Sequence, residues 1–99
     1  MSEEITASHI LCSTEVVSHK EALKSIKKIQ ARLAKGEAFE ELAREVSDCP
    51  SGSQGGDLGS FGRGRMVDEF DKAAFDLEVG ETSEVVETEF GYHLILRTL

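Results

Sequence analysis

The feature that most restricts the fold of this chain is a glycine-rich segment in the middle of the sequence. Residues 47–66, SDCPSGSQGGDLGSFGRGRM, hold six of the nine glycines and the only proline. Glycine adopts backbone conformations that are closed to other residues, and it lets other groups approach the backbone closely. Such a segment is therefore a phosphate-binding loop, a flexible linker or a series of structured turns.

The glycine-rich segment lacks the residues that nucleotide-binding loops require. Gly59 and Gly64 have the glycine spacing of a Walker loop, but Arg65 and Met66 follow Gly64 where lysine and a hydroxyl residue are needed. A dinucleotide-binding motif would need glycine where Val67 stands. A linker is also disfavoured, because apolar residues such as Leu58 and Met66 interrupt the segment. The pattern instead predicts turns and close backbone approaches that present a few apolar side chains.

The hydrophobic pattern on either side predicts three helices and three strands. Apolar residues recur every three or four positions in residues 18–36, 38–47 and 67–77, which is typical of amphipathic helices. Ser18 and Glu21 form a capping box, and Gly36 ends the first helix. Residues 4–13, 83–88 and 92–99 are predicted strands, the last two joined by a turn. This order predicts one compact α+β domain over residues 1–99.

Composition and charge limit the partners and the compartment. The chain has 39% hydrophobic and 30% charged residues and a net charge of -8, which disfavours nucleic acid and anionic membrane as partners. The start, MSEEITASHI, lacks the pattern of a leader peptide, and no apolar run is long enough to span a bilayer. Cys12 and Cys49 form no disulfide framework. We therefore expect a cytoplasmic monomer.

The polar residues with candidate roles are His9, Cys49, Asp57, Thr88 and His93. His9 shares a strand face with apolar residues, and His93 lies on the last predicted strand. Each histidine alone is typical of a buried structural residue that is satisfied by a hydrogen bond. If the two strands pair in the middle of the sheet, the imidazoles come into contact and fix each other's tautomer.

Two other chemistries would use some of the same residues. A zinc site would combine His9, Cys12, Cys49 and His93, but His9 and Cys12 are three residues apart on a strand and so point to opposite faces. A Cys49 nucleophile stays open as an alternative, although no sequence feature supplies an oxyanion hole. Cys49 is equally well interpreted as a small apolar side chain near a helix end.

Five motifs resemble the parvulin-type peptidyl-prolyl cis/trans isomerases. In order, they are SHILC, GGDLG, GRGRMV followed by EF, GE before a serine, and FGYH, and the similarity extends over residues 8–97. The resemblance implies a four-stranded, mostly antiparallel sheet surrounded by four helices in the order β-α-α-α-β-α-β-β. The fourth helix would lie just after Ser47. It also implies rotation of X–Pro bonds in unfolded or flexible protein segments, without a cofactor or a metal.

The resemblance also assigns roles to individual residues. His9 and His93 match the paired central histidines of the family, Thr88 matches the hydroxyl beside them, and Cys49 matches the position that faces the substrate peptide bond. Ser8 is expected to support the hydrogen bonds of the first histidine. The residues expected to bind the substrate proline are Leu58, Met66, Val67, Phe70 and Phe90.

One departure from the family concerns the substrate. Phospho-specific parvulins carry a long basic loop after the first strand, whereas residues 12–23, CSTEVVSHKEAL, are short and place Ser13 and Glu15 there. Because Glu15 would repel a phosphate, we expect little phosphate preference and a broad preference for apolar or basic residues before proline. The alternative function is a non-catalytic peptide-binding or chaperone module of the same fold.

Overall fold

The computed structural model describes residues 3–15 and 17–99, which form one sheet with helices on both faces. Met1, Ser2 and Val16 lie outside the described residues, and with them the first two positions of the leader comparison and one position of the loop after the first strand. The elements in chain order are β1 Glu4–Ser13, α1 His19–Ala34, α2 Phe39–Val46, a 3₁₀ helix Pro50–Gln54, β2 Asp57–Gly62, α3 Asp68–Phe75, β3 Val86–Thr88 and β4 Gly91–Arg97. The order implied by the family resemblance is confirmed, with the 3₁₀ helix as the fourth helix.

The sheet has the strand order β2-β1-β4-β3, and every neighbouring pair is antiparallel. The first and last strands of the chain therefore lie together in the middle, as the histidine hypothesis required. Their register places His9 opposite Ile95 and Leu11 opposite His93. β3 joins β4 through a tight turn in which Thr88 pairs with Gly91.

The first helix begins and ends where its sequence predicts. The Ser18 side chain accepts a hydrogen bond from the Glu21 N–H (3.2 Å), and Gly36 has a φ of 101°, which other residues adopt at a cost. Ala22, Ile26 and Ile29 form its buried stripe. With 16 residues it is the longest helix of the described chain, in which no helix combines the length and apolarity needed to cross a membrane.

The two faces of the sheet have separate cores. We call them the α1/α2 face and the α3 face, after the helices that cover them. The buried residues of the α1/α2 face are Ile10, Cys12, Ala22, Ile26, Ile29, Phe39, Leu42, Ala43 and Leu94. The buried hydrophobic residues of the α3 face are Ile5, Ala7, Phe61, Phe70, Ala74, Phe75, Leu77 and Ile95. Alternate residues of β1 and β4 supply both faces, as the pleat of a strand requires.

The sheet differs from the pattern-based prediction at both edges. β2 lies inside the glycine-rich segment, where no strand was predicted from periodicity, and it pairs with β1 through Ile5 and Phe61. The strand predicted over residues 83–88 is regular only at Val86–Thr88, and Thr82 makes an isolated bridge to Leu96. The edge strands β2 and β3 have weak strand patterns of their own, and they form by pairing with the central strands β1 and β4.

Gly56 explains why the segment before β2 needs glycine. Its backbone has a φ of 83°, and a Cβ at this position would overlap the backbone oxygen of His9. The His9 N–H donates to the Gly56 oxygen (2.9 Å), so the two backbones are in direct contact. Glycine thus brings the segment against the strand that carries the first histidine.

Candidate active site

The two histidines of the central strands are in contact on the α3 face. His9 and His93 are diagonal neighbours across the β1–β4 pair, and both are buried, with 6% and 4% of their surface exposed. Their Nδ1 atoms are 3.1 Å apart, and their rings are stacked with centroids 5.3 Å apart. The structure therefore brings together the two residues that the sequence singled out from opposite ends of the chain.

A hydrogen-bonded chain extends from this pair to the β3–β4 turn. Thr88 Oγ1 lies 2.7 Å from His93 Nε2 and accepts a hydrogen bond from the Phe90 N–H (3.2 Å). A hydroxyl has one donor and two acceptor positions, so Thr88 can accept from the Phe90 N–H and still bind His93 Nε2. The tautomers of the two histidines set the direction of the Thr88–His93 and His93–His9 hydrogen bonds. The chain therefore links the β3–β4 turn to both central strands.

Both histidines are neutral at physiological pH. Burial lowers the pKa of His9 to about 4, and burial together with the neighbouring His9 lowers the pKa of His93 to about 4. His9 Nε2 is the one buried side-chain nitrogen or oxygen of the described residues that has no hydrogen-bond partner. An unpaired buried polar group lowers the stability of the fold, and such groups are often found at functional sites.

Phe70 of α3 holds the histidine pair from the helix side. Its ring contacts both imidazoles edge-on, with centroid distances of 5.5 Å to His9 and 5.3 Å to His93. It also packs against Phe61 of β2 at 6.3 Å. The buried stripe of α3, which the sequence predicted, thus fixes the rings as well as closing the core.

An open cavity of about 300 Å³ lies against this cluster. Its lining residues are His9, Cys49, Leu58, Arg65, Met66, Val67, Phe70, Phe90 and His93. All five residues expected to bind the proline are in this lining. The glycine-rich segment and the loop after it supply Leu58, Met66 and Val67, and the β3–β4 turn supplies Phe90, whose surface is 47% exposed. The cavity is predominantly apolar, with the histidines at its base.

Cys49 lies at the edge of the cavity, immediately before the 3₁₀ helix. It is half-buried and is a free thiol, and its Sγ accepts a hydrogen bond from the Ser51 hydroxyl (3.2 Å). Pro50 at the first position of the 3₁₀ helix fixes the backbone that follows it. Among the described residues, no histidine nitrogen is within hydrogen-bonding distance of Cys49 Sγ. No base is therefore in place to activate the thiol.

Three polar residues discussed from the sequence lie away from the cavity. Ser8 does not support the histidine network, because alternation turns its side chain to the opposite face, where it lines a small cavity with Phe39. Cys12 is buried on the α1/α2 face, so the sheet separates it from the histidines, as the alternation of a strand predicts for His9 and Cys12. Asp57 is exposed, and its carboxylate accepts a hydrogen bond from the Gly59 N–H (2.9 Å), which stabilises a turn.

One residue of the cavity lining was not predicted from the sequence. Arg65 lies in the loop between β2 and α3, directly before Met66. An arginine beside a turn is most often an ordinary solvated residue, so its type alone gave no signal. Its position one residue before a predicted pocket residue was the only indication available.

Comparisons with known proteins agree with this geometry. Residues 9–98 match the family described as Rotamase, the PPIC-type PPIase domain. The chain is 50% identical over 93 residues to the Foldase protein PrsA of Geobacillus kaustophilus, and it is 49% identical over 78 residues to the Peptidyl-prolyl cis-trans isomerase Pin1 of Arabidopsis thaliana. These alignments cover 93% and 78% of this chain.

The relatives differ in length from this chain. It spans 30% of the Geobacillus foldase and 66% of the Arabidopsis isomerase. The solution structure of NmPin, the parvulin of Nitrosopumilus maritimus, matches with a TM-score of 0.71 and 45% identity over 98% of this chain and 97% of that one. The chain belongs to the PPIC-type peptidyl-prolyl cis/trans isomerase family, the parvulins.

Proposed function

We propose that this chain catalyses cis/trans rotation about X–Pro peptide bonds by non-covalent stabilisation of the twisted amide. The observation that carries the proposal is the apolar cavity of about 300 Å³ against the buried, neutral histidine pair. Membership of the rotamase family supports the same reaction. The proposal extends to the roles of the individual cavity residues.

The cavity suits a proline ring. The ring is apolar and its nitrogen carries no hydrogen, so burying it leaves no donor unpaired. Leu58, Met66 and Phe70 supply apolar surface against which the ring is held. A substrate clamped at the ring can still turn the carbonyl that precedes it.

The reaction needs only a lower rotational barrier. Amide resonance opposes rotation with a barrier of about 18–20 kcal/mol. The cis and trans forms of an X–Pro bond differ by only about 0.5–1 kcal/mol, so no input of energy is required. At the midpoint of the rotation the amide has lost its resonance and is less polar, and an apolar cavity stabilises it relative to the planar forms. This difference in binding accelerates the exchange.

The polar groups around the cavity have a supporting role in this proposal. His9, Thr88 and His93 form a rigid, uncharged, hydrogen-bonded group beside the cavity, and this group sets the electrostatics around the rotating carbonyl. Cys49 contacts the substrate from the edge as a thiol. A covalent step is not part of the proposal, since the neighbouring hydroxyl of Ser51 donates to the sulfur and removes no proton from it.

The proposed substrates are proline-containing segments of unfolded or flexible proteins. The name of the Geobacillus relative, a foldase, supports this class. Little phosphate preference is expected, because two carboxylates place negative charge at the loop after β1. Glu15 is exposed in that loop, and the Asp48 carboxylate is held beside it by a hydrogen bond from the Ser13 N–H (2.8 Å). We also propose one isomerase domain that acts as a monomer in the cytoplasm. Two free thiols fit a reducing compartment.

Exchange NMR on short X–Pro peptides tests this proposal. Peptides with leucine, arginine or phosphoserine before proline are measured with and without catalytic amounts of protein. Faster cis/trans exchange is expected for the leucine and arginine peptides, without an advantage for phosphoserine. Chemical-shift changes in the protein without faster exchange would contradict the proposal and indicate a peptide-binding module.

A further inference from the structure

Arg65 stands apart from the other residues of the cavity lining. The remaining members are apolar residues, one thiol and two neutral histidines, so Arg65 carries the one permanent charge in the lining. Its side chain is exposed to solvent at the cavity, whereas the walls beside it are apolar. A guanidinium next to an apolar wall binds a carboxylate more strongly than one surrounded by water, and it does so through two parallel hydrogen bonds.

The other arginines of the chain are already engaged. Each donates a hydrogen bond to an oxygen of the protein: Arg32, Arg44, Arg63 and Arg97. Within residues 3–15 and 17–99, the Arg65 guanidinium has no such partner. Its donors are therefore available to a ligand at the cavity.

Arg63, two residues earlier in the same loop, provides an internal comparison. It pairs with Glu3 (2.9 Å), and its guanidinium lies over the ring of Phe75, 4.6 Å from the centroid. Arg63 thus stabilises the fold and is not in the cavity lining. Two arginines of one loop differ in that one contacts the protein and the other faces the substrate site.

We propose that Arg65 is a specificity-determining residue that binds the side-chain carboxylate of an aspartate or glutamate close to the substrate proline. The inference rests on the proposed isomerase function, because it assigns a preferred substrate class to the same cavity. It departs from the preference for apolar or basic residues before proline, which is based on Glu15 in the loop after β1 and does not include Arg65.

A series of matched peptides tests this inference. Glutamate is placed in turn at each of the two positions before and the two positions after proline, and each peptide has a glutamine twin and a common leucine control. The readout is kcat/KM for isomerisation from exchange NMR, for the unmodified protein, Arg65→Gln and Arg63→Gln. At one of these positions we expect the glutamate peptide to exceed its glutamine twin by roughly three- to tenfold in the unmodified protein.

The variants separate binding by Arg65 from general charge effects. Arg65→Gln should reduce the glutamate advantage over the glutamine twin, measured within that variant, to about one. Arg63→Gln removes the same charge from the same loop but leaves Arg65 in place, so it should keep the advantage. Arg65→Glu should reverse the preference, so that a peptide with lysine in place of glutamate exceeds the glutamine twin. In the unmodified protein, added salt should weaken the glutamate advantage.

Each result is decisive. If the leucine and glutamine peptides are accelerated but glutamate gives no advantage at any position, the inference fails and the isomerase function stands. An advantage that persists in Arg65→Gln, or one that is lost equally in Arg63→Gln, also overturns the inference. If no peptide is accelerated, the proposed function fails and this inference fails with it.

Discussion

The two faces of the sheet use alternate residues of the same central strands but are built differently. On the α1/α2 face, helices of 16 and 8 residues cover a core of nine buried residues, and among these side chains the sulfur of Cys12 is the only heteroatom. On the α3 face, one helix of 8 residues spans only about 12 Å, and part of the face is left open. The open part holds His9 and His93 and the apolar cavity.

This difference teaches how one small domain combines stability with a binding site. The α1/α2 face has packed apolar side chains, which supply most of the folding free energy of a small domain. The α3 face retains two buried imidazoles and an unpaired His9 nitrogen, which reduce stability. Substitutions on the two faces should therefore separate stability from activity.

The largest expected effect is on the α1/α2 face. Leu42 of α2 is 1% exposed, and Leu42→Ala removes buried surface and leaves a cavity. The free energy of unfolding should fall by about 2–5 kcal/mol, while kcat/KM per folded molecule stays unchanged. Urea unfolding and exchange NMR on the folded fraction measure the two quantities. A loss of activity in the folded fraction would show that the faces are coupled.

The next effect is the pH dependence that the α3 face imposes. The pKa values of His9 and His93 are about 4 in the folded state and about 6.5 in an unfolded chain, so the unfolded state binds more protons between these values. Stability is therefore full above about pH 6.5 and is lost as the pH falls toward 4. The two histidines together should remove about 2–4 kcal/mol between pH 7 and pH 5.

Urea unfolding at several pH values measures this dependence. His93→Gln should reduce the slope between pH 7 and pH 5 by about half, since one of two titrating groups is gone. His19→Gln is the control, because His19 is exposed on α1. A slope that His93→Gln leaves unchanged would contradict the assignment.

A smaller effect is expected at the cavity wall. Met66 is half-buried, so Met66→Ala should leave the fold intact while removing apolar surface that contacts the proline ring. Peptide affinity should fall about five- to tenfold, as measured by NMR titration. Unchanged affinity in the folded variant would place the proline elsewhere.

The smallest effect is expected at Cys49. Cys49→Ser keeps the size of the side chain and a weak donor at the cavity edge, so kcat/KM should change by less than about threefold. Exchange NMR on the same peptide gives the value, with the amide spectrum as the check on folding. Complete loss of activity in a folded variant would support a nucleophilic thiol instead.

The sequence predicted the central elements well because their patterns are strong. The stripes of the three helices and the alternation of β1 are periodic, and they place Ile5, Ala7 and His9 on one face. β2 was not predicted from periodicity, since glycine and serine have low strand propensity and Gly59 and Gly62 interrupt the strand. It forms because the edge of β1 offers a partner.

The candidate site was predictable only in part. Contact between His9 and His93 depends on the register of β1 and β4, and a slip of one residue would turn one imidazole to the other face. Local patterns do not encode that register; the family resemblance supplied the remaining lining residues. Arg65 was missed because neither its residue type nor its spacing distinguishes it from a solvated arginine.

The measurement that tests the central claim most directly compares the two faces in one assay. Exchange NMR on a leucine–proline peptide is run with equal concentrations of the unmodified protein, Met66→Ala and Ile26→Val, the last a conservative change in the core of the α1/α2 face. We predict equal acceleration by the unmodified protein and Ile26→Val and strongly reduced acceleration by Met66→Ala. Acceleration that Met66→Ala retains in full, or the absence of acceleration by the unmodified protein, would contradict the account.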